Sequence, residues 1–211
     1  MDARCFTVGP LQENCWIVRP GGGDRALVID PGDEAERLQG AIEDLGVTVE
    51  AILLTHTHFD HVGAVAPLAR ATGAPVYCPE VETAVLADIM RYVFPGLGPY
   101  ESYDADETVA GGERLELAGL TLDVIFTPGH SPGHVSYSIP DEQVVLSGDV
   151  LFQGSIGRTD LPGGDFPTLM RSIATLLDAL PDETQVLPGH MGTTTLGRER
   201  TGNPFLHELA S

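Results

Sequence analysis

Short apolar runs separated by glycine and proline open the chain. Residues 4–8, 13–19 and 26–30 read as strands, with turns at Gly9-Pro10 and over 20–24. The third run ends in Asp30-Pro31-Gly32, which puts a carboxylate at the C-terminal edge of a strand. The spacing then lengthens. Ala35, Leu38, Ile42 and Leu45 follow a helical period over 33–45, and Gly46 supplies the stop. A strand over 51–54, a helix over about 62–72 closed by Gly73, a strand over 75–78 and a helix over about 80–90 complete a βαβα pattern. Residues 91–106 break this rhythm with two Pro, two Gly and four aromatics (Tyr92, Phe94, Tyr100, Tyr103). Long loops in compact domains are usually functional or disordered. The aromatics suit a substrate-side wall with Tyr100 as a contact, and they also suit plain surface packing.

The second half turns to strands at 113–117, 120–126, 134–139 and 143–147. A long amphipathic helix is predicted over 166–180, with Met170, Ile173, Leu176, Leu177 and Leu180 on its apolar face. A strand over 185–187 and short helices near 196–209 finish the chain. No repeat and no linker interrupts it, so one domain over 1–211 is expected. Each half runs from strand-rich to helical, which predicts an α/β protein whose two sheets pack face to face with helices outside.

Four apolar runs end in a residue that can ligate a metal: ILLTHTH at 52–58, VIFTPGH at 124–130, VVLSGD at 144–149 and QVLPGH at 185–190. Four such strand ends can converge on one edge of stacked sheets. The Pro-Gly pairs at 128–129 and 188–189 turn the chain sharply. The densest stretch is 51–61, AILLTHTHFDH, where His56, His58, Asp60 and His61 arrive within six positions; only seven histidines exist in the chain. Surface histidines on a turn are the bland alternative. Imidazoles and a carboxylate gathered at a strand end suit a divalent cation better.

Two clusters account for the donors. His56, His58 and His130 form a three-imidazole set; Asp60, His61 and His190 form a second, and Asp149 bridges the two ions. A structural zinc would more usually take cysteine and leave no open position. Paired cations lower the pKa of a bridging water from ~15.7 toward ~7 and polarise a carbonyl. Asp60 and Asp149 are thus the candidate catalytic carboxylates, acting with a metal-bridging hydroxide. No G-x-S-x-G elbow supports a serine nucleophile, and Pro162-Gly163-Gly164 lacks the spacing and the lysine of a P-loop.

Composition narrows the partners. The formal charge is −20, from 31 acids against 11 bases. Such a surface repels phosphate backbones and anionic lipid, which argues against nucleic-acid and membrane partners. Every base is arginine, so any cationic grip on an anionic substrate comes from a guanidinium fork. Cys5, Cys15 and Cys78 are an odd number at irregular spacing, read as small core hydrophobes in a reducing compartment. No basic stretch leads into an apolar one at the N-terminus, and no apolar run reaches membrane-spanning length, so the cytoplasm is expected.

The motif His56-Thr57-His58-Phe59-Asp60-His61, with His130, Asp149 and His190, resembles the metallo-β-lactamase superfamily. The resemblance runs from Asn14 and Asp30-Pro31-Gly32 to Pro188-Gly189-His190. It implies a four-layer αβ/βα sandwich of two mixed sheets and a dinuclear site, usually zinc, sometimes iron or manganese. TPGHSPGHVSY at 127–137 is similar to the glyoxalase II branch, which hydrolyses thioesters of glutathione. In that branch His130 is a ligand and His134 supports a ligand from outside the coordination sphere, as Asp30 would for the first loop; a satisfied strand histidine is the other reading of His134. A small acyl thioester suits such a site, because a thiolate leaves from a thiol of pKa near ~8.5 with little help from an acid.

The chain departs from glyoxalase II in places. Arg158 stands where that family has Lys, and Asp160 and Gly192 stand where it has Tyr. The family's C-terminal helical domain has no room before Ser211, which leaves the thiol open. Gly157-Arg158-Thr159-Asp160 resembles compact bacterial glyoxalase II-like hydrolases. There Arg158 either clamps a substrate carboxylate or pairs with Asp160. The same four residues are similar to persulfide dioxygenases, in which His56, His130 and Asp149 would hold a single iron; His134 and Gly189 fit the hydrolase pattern better. Lactone hydrolysis uses the same chemistry and stays open, as does a homodimer. The nuclease branch conflicts with the acidic surface, and a β-lactamase would be exported. A non-catalytic metal-binding module has no need of an open two-metal set.

Overall fold

The structure, a computed structural model, describes residues 1–206. The chain divides into two compact units, residues 1–109 with 116–120, and residues 110–115 with 121 onward. No helix among the described residues is long and apolar enough to cross a membrane.

The first unit is built on a mixed six-stranded sheet. It opens as an antiparallel meander of β1 (Asp2–Val8), β2 (Glu13–Arg19) and β3 (Arg25–Ile29). Helix α1 (Ala35–Leu45) crosses over to β4 (Thr48–Leu53), which lies parallel to β3. Two short helices follow, α2 (Phe59–Val62) and α3 (Val65–Thr72), leading to β5 (Val76–Pro79) parallel to β4. A single turn, α4 (Thr83–Leu86), precedes β6 (Glu107–Val109) at the sheet edge. The strand order is β1-β2-β3-β4-β5-β6. Strands β2 and β3 are buried along almost their whole length, as near-continuous apolar runs require. α1 turns Leu38 and Ile42 inward and ends at Gly46 in the left-handed conformation.

Two predicted helices are interrupted by tertiary contacts. The helix expected over 62–72 breaks between Val62 and Val65. There Ala64 N–H donates to Pro31 O at 3.0 Å, and a Cβ on Gly63 would lie 2.4 Å from Gly32 O. The helix expected over 80–90 is one α-turn flanked by 3-10 turns at Glu80–Glu82 and Ile89–Arg91. Leu86 O accepts from Tyr103 N at 3.1 Å and Ile89 N donates to Ser102 Oγ at 3.2 Å, so the loop that follows takes the bonds the helix needs to continue. Cys15 and Cys78 lie in this unit's core, and burial pushes both thiols up. Cys5 departs from the expectation: it is exposed on the outer strand β1.

The second sheet comprises β7 (Arg114–Leu117), β8 (Leu120–Phe126), β9 (Val135–Ile139), β10 (Val144–Gly148), β13 (Gln185–Pro188) and β14 (Thr194–Thr195), in the order β14-β13-β10-β9-β8-β7. β10 and β13 are parallel, whereas β8–β9, β9–β10 and β13–β14 are antiparallel, so this sheet is also mixed. A small hairpin, β11 (Leu151–Phe152) with β12 (Ser155–Ile156), was not legible in the sequence because two-residue strands carry no periodicity. α5 (Phe166–Ala179) lies where it is predicted. Asp165 accepts from Thr168 N at 2.9 Å as its N-cap, and Leu169, Ile173, Leu176 and Leu177 turn inward. α6 (Leu196–Gly202) and a 3-10 turn at Pro204–Leu206 account for most of the helical tail; the end of the stretch predicted over 196–209 lies outside the described residues.

Candidate metal centre

In the first unit, parallel pairing sets the site. β3 and β4 leave the sheet side by side, so Asp30 at the exit of one strand meets Thr55 at the exit of the other. Asp30 sits at φ 50°, an uncommon conformation that a short polar side chain tolerates. Its carboxylate accepts Thr55 N–H at 2.7 Å and the Thr55 hydroxyl at 2.6 Å. His61 Nδ1 lies 3.0 Å from the same Oδ2. All three residues are buried.

These contacts fix two tautomers. His61 Nδ1 faces a carboxylate oxygen, so it carries the proton and Nε2 keeps its lone pair. His56 Nδ1 lies 3.0 Å from Thr55 Oγ1, whose own proton is committed to Asp30. His56 must therefore donate from Nδ1, which leaves its Nε2 lone pair as well. That Nε2 lies 3.1 Å from His58 Nδ1. Asp60, half-buried in the single turn of α2, brings Oδ2 to 4.0 Å from His61 Nε2. Asp30, His56 and His61 each offer an atom to one compact group.

In the second unit, β10 ends at Gly148 and delivers Asp149, and β13 ends at Pro188 and delivers His190. The two strands pair in parallel, so these side chains emerge at the same edge. Asp149 Oδ2 is 3.5 Å from His130 Nε2 and 3.5 Å from His190 Nε2. That is longer than a hydrogen bond. It matches the edge of a tetrahedron whose corners are donors at about 2.0–2.2 Å from a cation, roughly 3.3–3.6 Å. A single carboxylate oxygen, Asp149 Oδ2, stands at that distance from both imidazoles.

Supporting contacts hold these donors. His130 Nδ1 donates to Arg158 O at 2.7 Å, which leaves Nε2 as the donor atom toward Asp149. The turn carrying His130 is pinned to α5 by Ser172 Oγ donating to Pro128 O at 2.6 Å. His134 accepts Asp149 N–H on Nε2 at 3.0 Å and faces the Thr127 hydroxyl with Nδ1, also at 3.0 Å. A Cβ on Gly157 would sit 1.9 Å from Asp149 O and 3.3 Å from His130 Nδ1, so only glycine lets this strand end pass so close.

The side chains of the two substrate-binding candidates have partners of their own. Tyr100 stacks on Phe59 at 6.0 Å between ring centroids and directs its hydroxyl to Asp33 Oδ2 at 3.4 Å. With Asp33, Glu34 and Leu97 it lines a cavity of about 340 Å³ that no histidine borders. Burial, then the neighbouring Asp33 carboxylate, pushes the Tyr100 phenol up to about 12. Arg158 forms a bidentate ion pair with Asp160, at 2.7 and 2.8 Å, on the exposed surface. That guanidinium holds the Asp160 carboxyl down to about 2. Sequence reasoning passed over Thr55, Thr57 and Glu82. Hydroxyl residues inside the histidine motif were the available signal; Glu82 had none.

The donor set, lone-pair imidazoles with carboxylates and no cysteine, suits a divalent cation with room for a further ligand. Residues 8–190 match the model of the metallo-β-lactamase superfamily, and the chain belongs to that superfamily. Its two mixed sheets with their helices are the metallo-β-lactamase fold, whose members bind divalent metals, and the chain is a metallo-hydrolase of this class. The hydroxyacylglutathione hydrolase GloC of Haemophilus influenzae is 37% identical over 214 residues, covering 98% of this chain and 99% of its own. The crystal structure of the BLEG-1 B3 metallo-β-lactamase superposes with a TM-score of 0.92 at 40% identity, covering 98% of this chain and all of that one. TTHA1623 in a di-iron-bound form superposes with a TM-score of 0.80 at 44% identity, covering 96% of this chain and 100% of its own.

Proposed function

We propose that the chain hydrolyses a small acyl thioester, with His56, His58 and His130 serving one divalent cation, Asp60, His61 and His190 a second, and Asp149 both. The observation that carries this reading is the single Asp149 oxygen at 3.5 Å from both His130 Nε2 and His190 Nε2. Bound divalent cations supply a Lewis acid and bring the pKa of coordinated water from ~15.7 toward ~7. The chain supplies the rest. Asp30 keeps His56 and His61 in the tautomers that ligate, while His134 holds the Asp149 backbone and the Arg158 carbonyl orients His130.

A thioester fits what the site lacks. Once seven side chains serve cations, no acid is left to protonate a leaving group, and a thiolate from a thiol of pKa near ~8.5 needs none. Arg158 exchanges Asp160 for a substrate carboxylate, a partner its planar fork binds equally well. The likeness to GloC supports a thioester of glutathione type. The net charge of −20 disfavours nucleic-acid partners. Cysteines without a disulfide suit the cytoplasm. Zinc is the resident ion we favour; the di-iron form of TTHA1623 makes iron the second to test.

The test combines metal analysis with a substrate panel: lactoyl thioesters, lactones, a β-lactam, and a persulfide followed with an oxygen electrode. The expected result is two ions per chain and thioester turnover, both lost in Asp149→Asn. Normal turnover by that variant sinks the bridging role. One iron per chain with oxygen uptake on persulfide replaces the reading with a dioxygenase built on His56, His130 and Asp149.

A further inference from the structure

Thr57 lies between two of the proposed ligands, His56 and His58, and is itself buried at 1% exposure. Its hydroxyl turns into the first unit. There it meets Glu82, a carboxylate also buried, at 4% exposure. A single oxygen, Glu82 Oε2, accepts the Thr57 backbone N–H at 2.8 Å and the Thr57 hydroxyl at 2.6 Å. Glu82 is carried there by the strand pairing. β5 runs parallel to β4, and Leu54 N donates to Tyr77 O at 3.0 Å, so the 3-10 turn after β5 leaves the sheet beside the histidine loop.

The arrangement repeats the one on the other flank. Asp30, from β3, takes the N–H and hydroxyl of Thr55; Glu82, from beyond β5, takes the N–H and hydroxyl of Thr57. Each donor pair is short, and each acceptor is a carboxyl group shielded from water, the setting in which hydrogen bonds restrain geometry most. The segment 55–57 is thus gripped at alternate residues from both neighbouring strands, with His56 held between. Glu82 thus holds both the 56–57 peptide and the side chain of the residue that joins His56 to His58.

We propose that Glu82, through Thr57, is a positioning residue that sets the separation of His56 and His58 before any cation arrives. The inference rests on the metal reading above. Without that grip the 56–57 peptide and the Thr57 side chain can rotate, and cation binding must then supply the ordering that the free protein already contains.

The test measures cation affinity, by competition with a chromophoric chelator, in wild type, Glu82→Gln, Thr57→Val and Thr57→Ser. Cobalt-substituted protein gives the ligand-field absorption, and the melting temperature of the metal-free protein is recorded for each. Glu82→Gln and Thr57→Val should bind zinc about 10- to 100-fold more weakly, the usual consequence of losing a contact behind a ligand, with an altered cobalt spectrum. Thr57→Ser keeps the hydroxyl and should restore both. Should Glu82→Gln fail to fold, Thr57→Val decides, since it preserves shape and leaves the backbone bond. Wild-type affinity and cobalt spectrum in Thr57→Val and in every Glu82 variant that folds, even with a lowered melting temperature, overturns the positioning role and leaves the metal reading standing. A wild-type chain that retains no cation overturns the metal reading, and this inference with it.

Discussion

Asp30→Asn changes one oxygen to an amide nitrogen in a buried site and keeps the shape, so its effect can be worked through atom by atom. The native carboxylate accepts three bonds, at 2.7, 2.6 and 3.0 Å. Bonds to a charged acceptor contribute about 1.5–3 kcal/mol each. Asparagine retains one acceptor, for Thr55 N–H, but presents N–H groups where the Thr55 hydroxyl and His61 Nδ1–H now donate. Two bonds are lost, about 3–6 kcal/mol gross, and rearrangement of the hydroxyl recovers part. We expect a net loss of about 3 kcal/mol, which for a chain of this size lowers the melting temperature by roughly 6–12 °C. Relief of the donor clash requires His61 to move its proton to Nε2, so this nitrogen can no longer ligate. Differential scanning calorimetry in the presence of chelator reads the first effect. Zinc titration reads the second, as a fall of about 10- to 100-fold in affinity at one of two sites. A variant that melts within 2 °C of wild type (about one measurement error) and binds both ions with native affinity would falsify the assignment of Asp30 as the anchor of this loop.

Further substitutions probe the second unit and the surface. Gly157→Ala forces a Cβ to within 1.9 Å of Asp149 O, a backbone atom that cannot step aside, so the expected outcome is at least about 2–3 kcal/mol of destabilisation and loss of metal, read by urea titration and metal analysis. Arg158→Ala removes an exposed ion pair that solvent screens, and should leave the melting temperature essentially unchanged. If Arg158 clamps substrate, KM for a carboxylate-bearing thioester rises with little change in kcat; an unchanged KM returns it to a loop salt bridge. Tyr100 has a folded pKa raised to about 12 against 10 in the unfolded chain, so its contribution is complete below pH 10 and disappears as pH rises toward 12. Alkaline denaturation should therefore show a shallower slope between those limits in Tyr100→Phe; identical slopes refute the assignment.

The elements that followed a strong local period were legible in the chain. α1 and α5 appear where Leu38, Ile42, Ile173, Leu176 and Leu177 place an apolar stripe, and the buried strands of both sheets appear as apolar runs. The breaks were not. The helix after the histidine loop breaks where Ala64 N–H turns to Pro31 O, and α4 stops where Tyr103 N–H takes the Leu86 carbonyl; neither partner lies within the stretch it interrupts.

The same division holds at the site. The identity and order of the ligand-type residues at strand ends were fixed by the chain itself, since donor chemistry belongs to the side chain and strand-end placement follows from local pattern. Which nitrogen of each imidazole presents a lone pair was decided only by the fold. It depends on Thr55, Asp30 and the Arg158 carbonyl arriving at hydrogen-bond distance from residues far away in sequence. Glu82 makes the point most sharply. In the chain it is one of 31 acidic residues with no motif around it, and only the parallel pairing of β4 with β5 brings its carboxylate under Thr57.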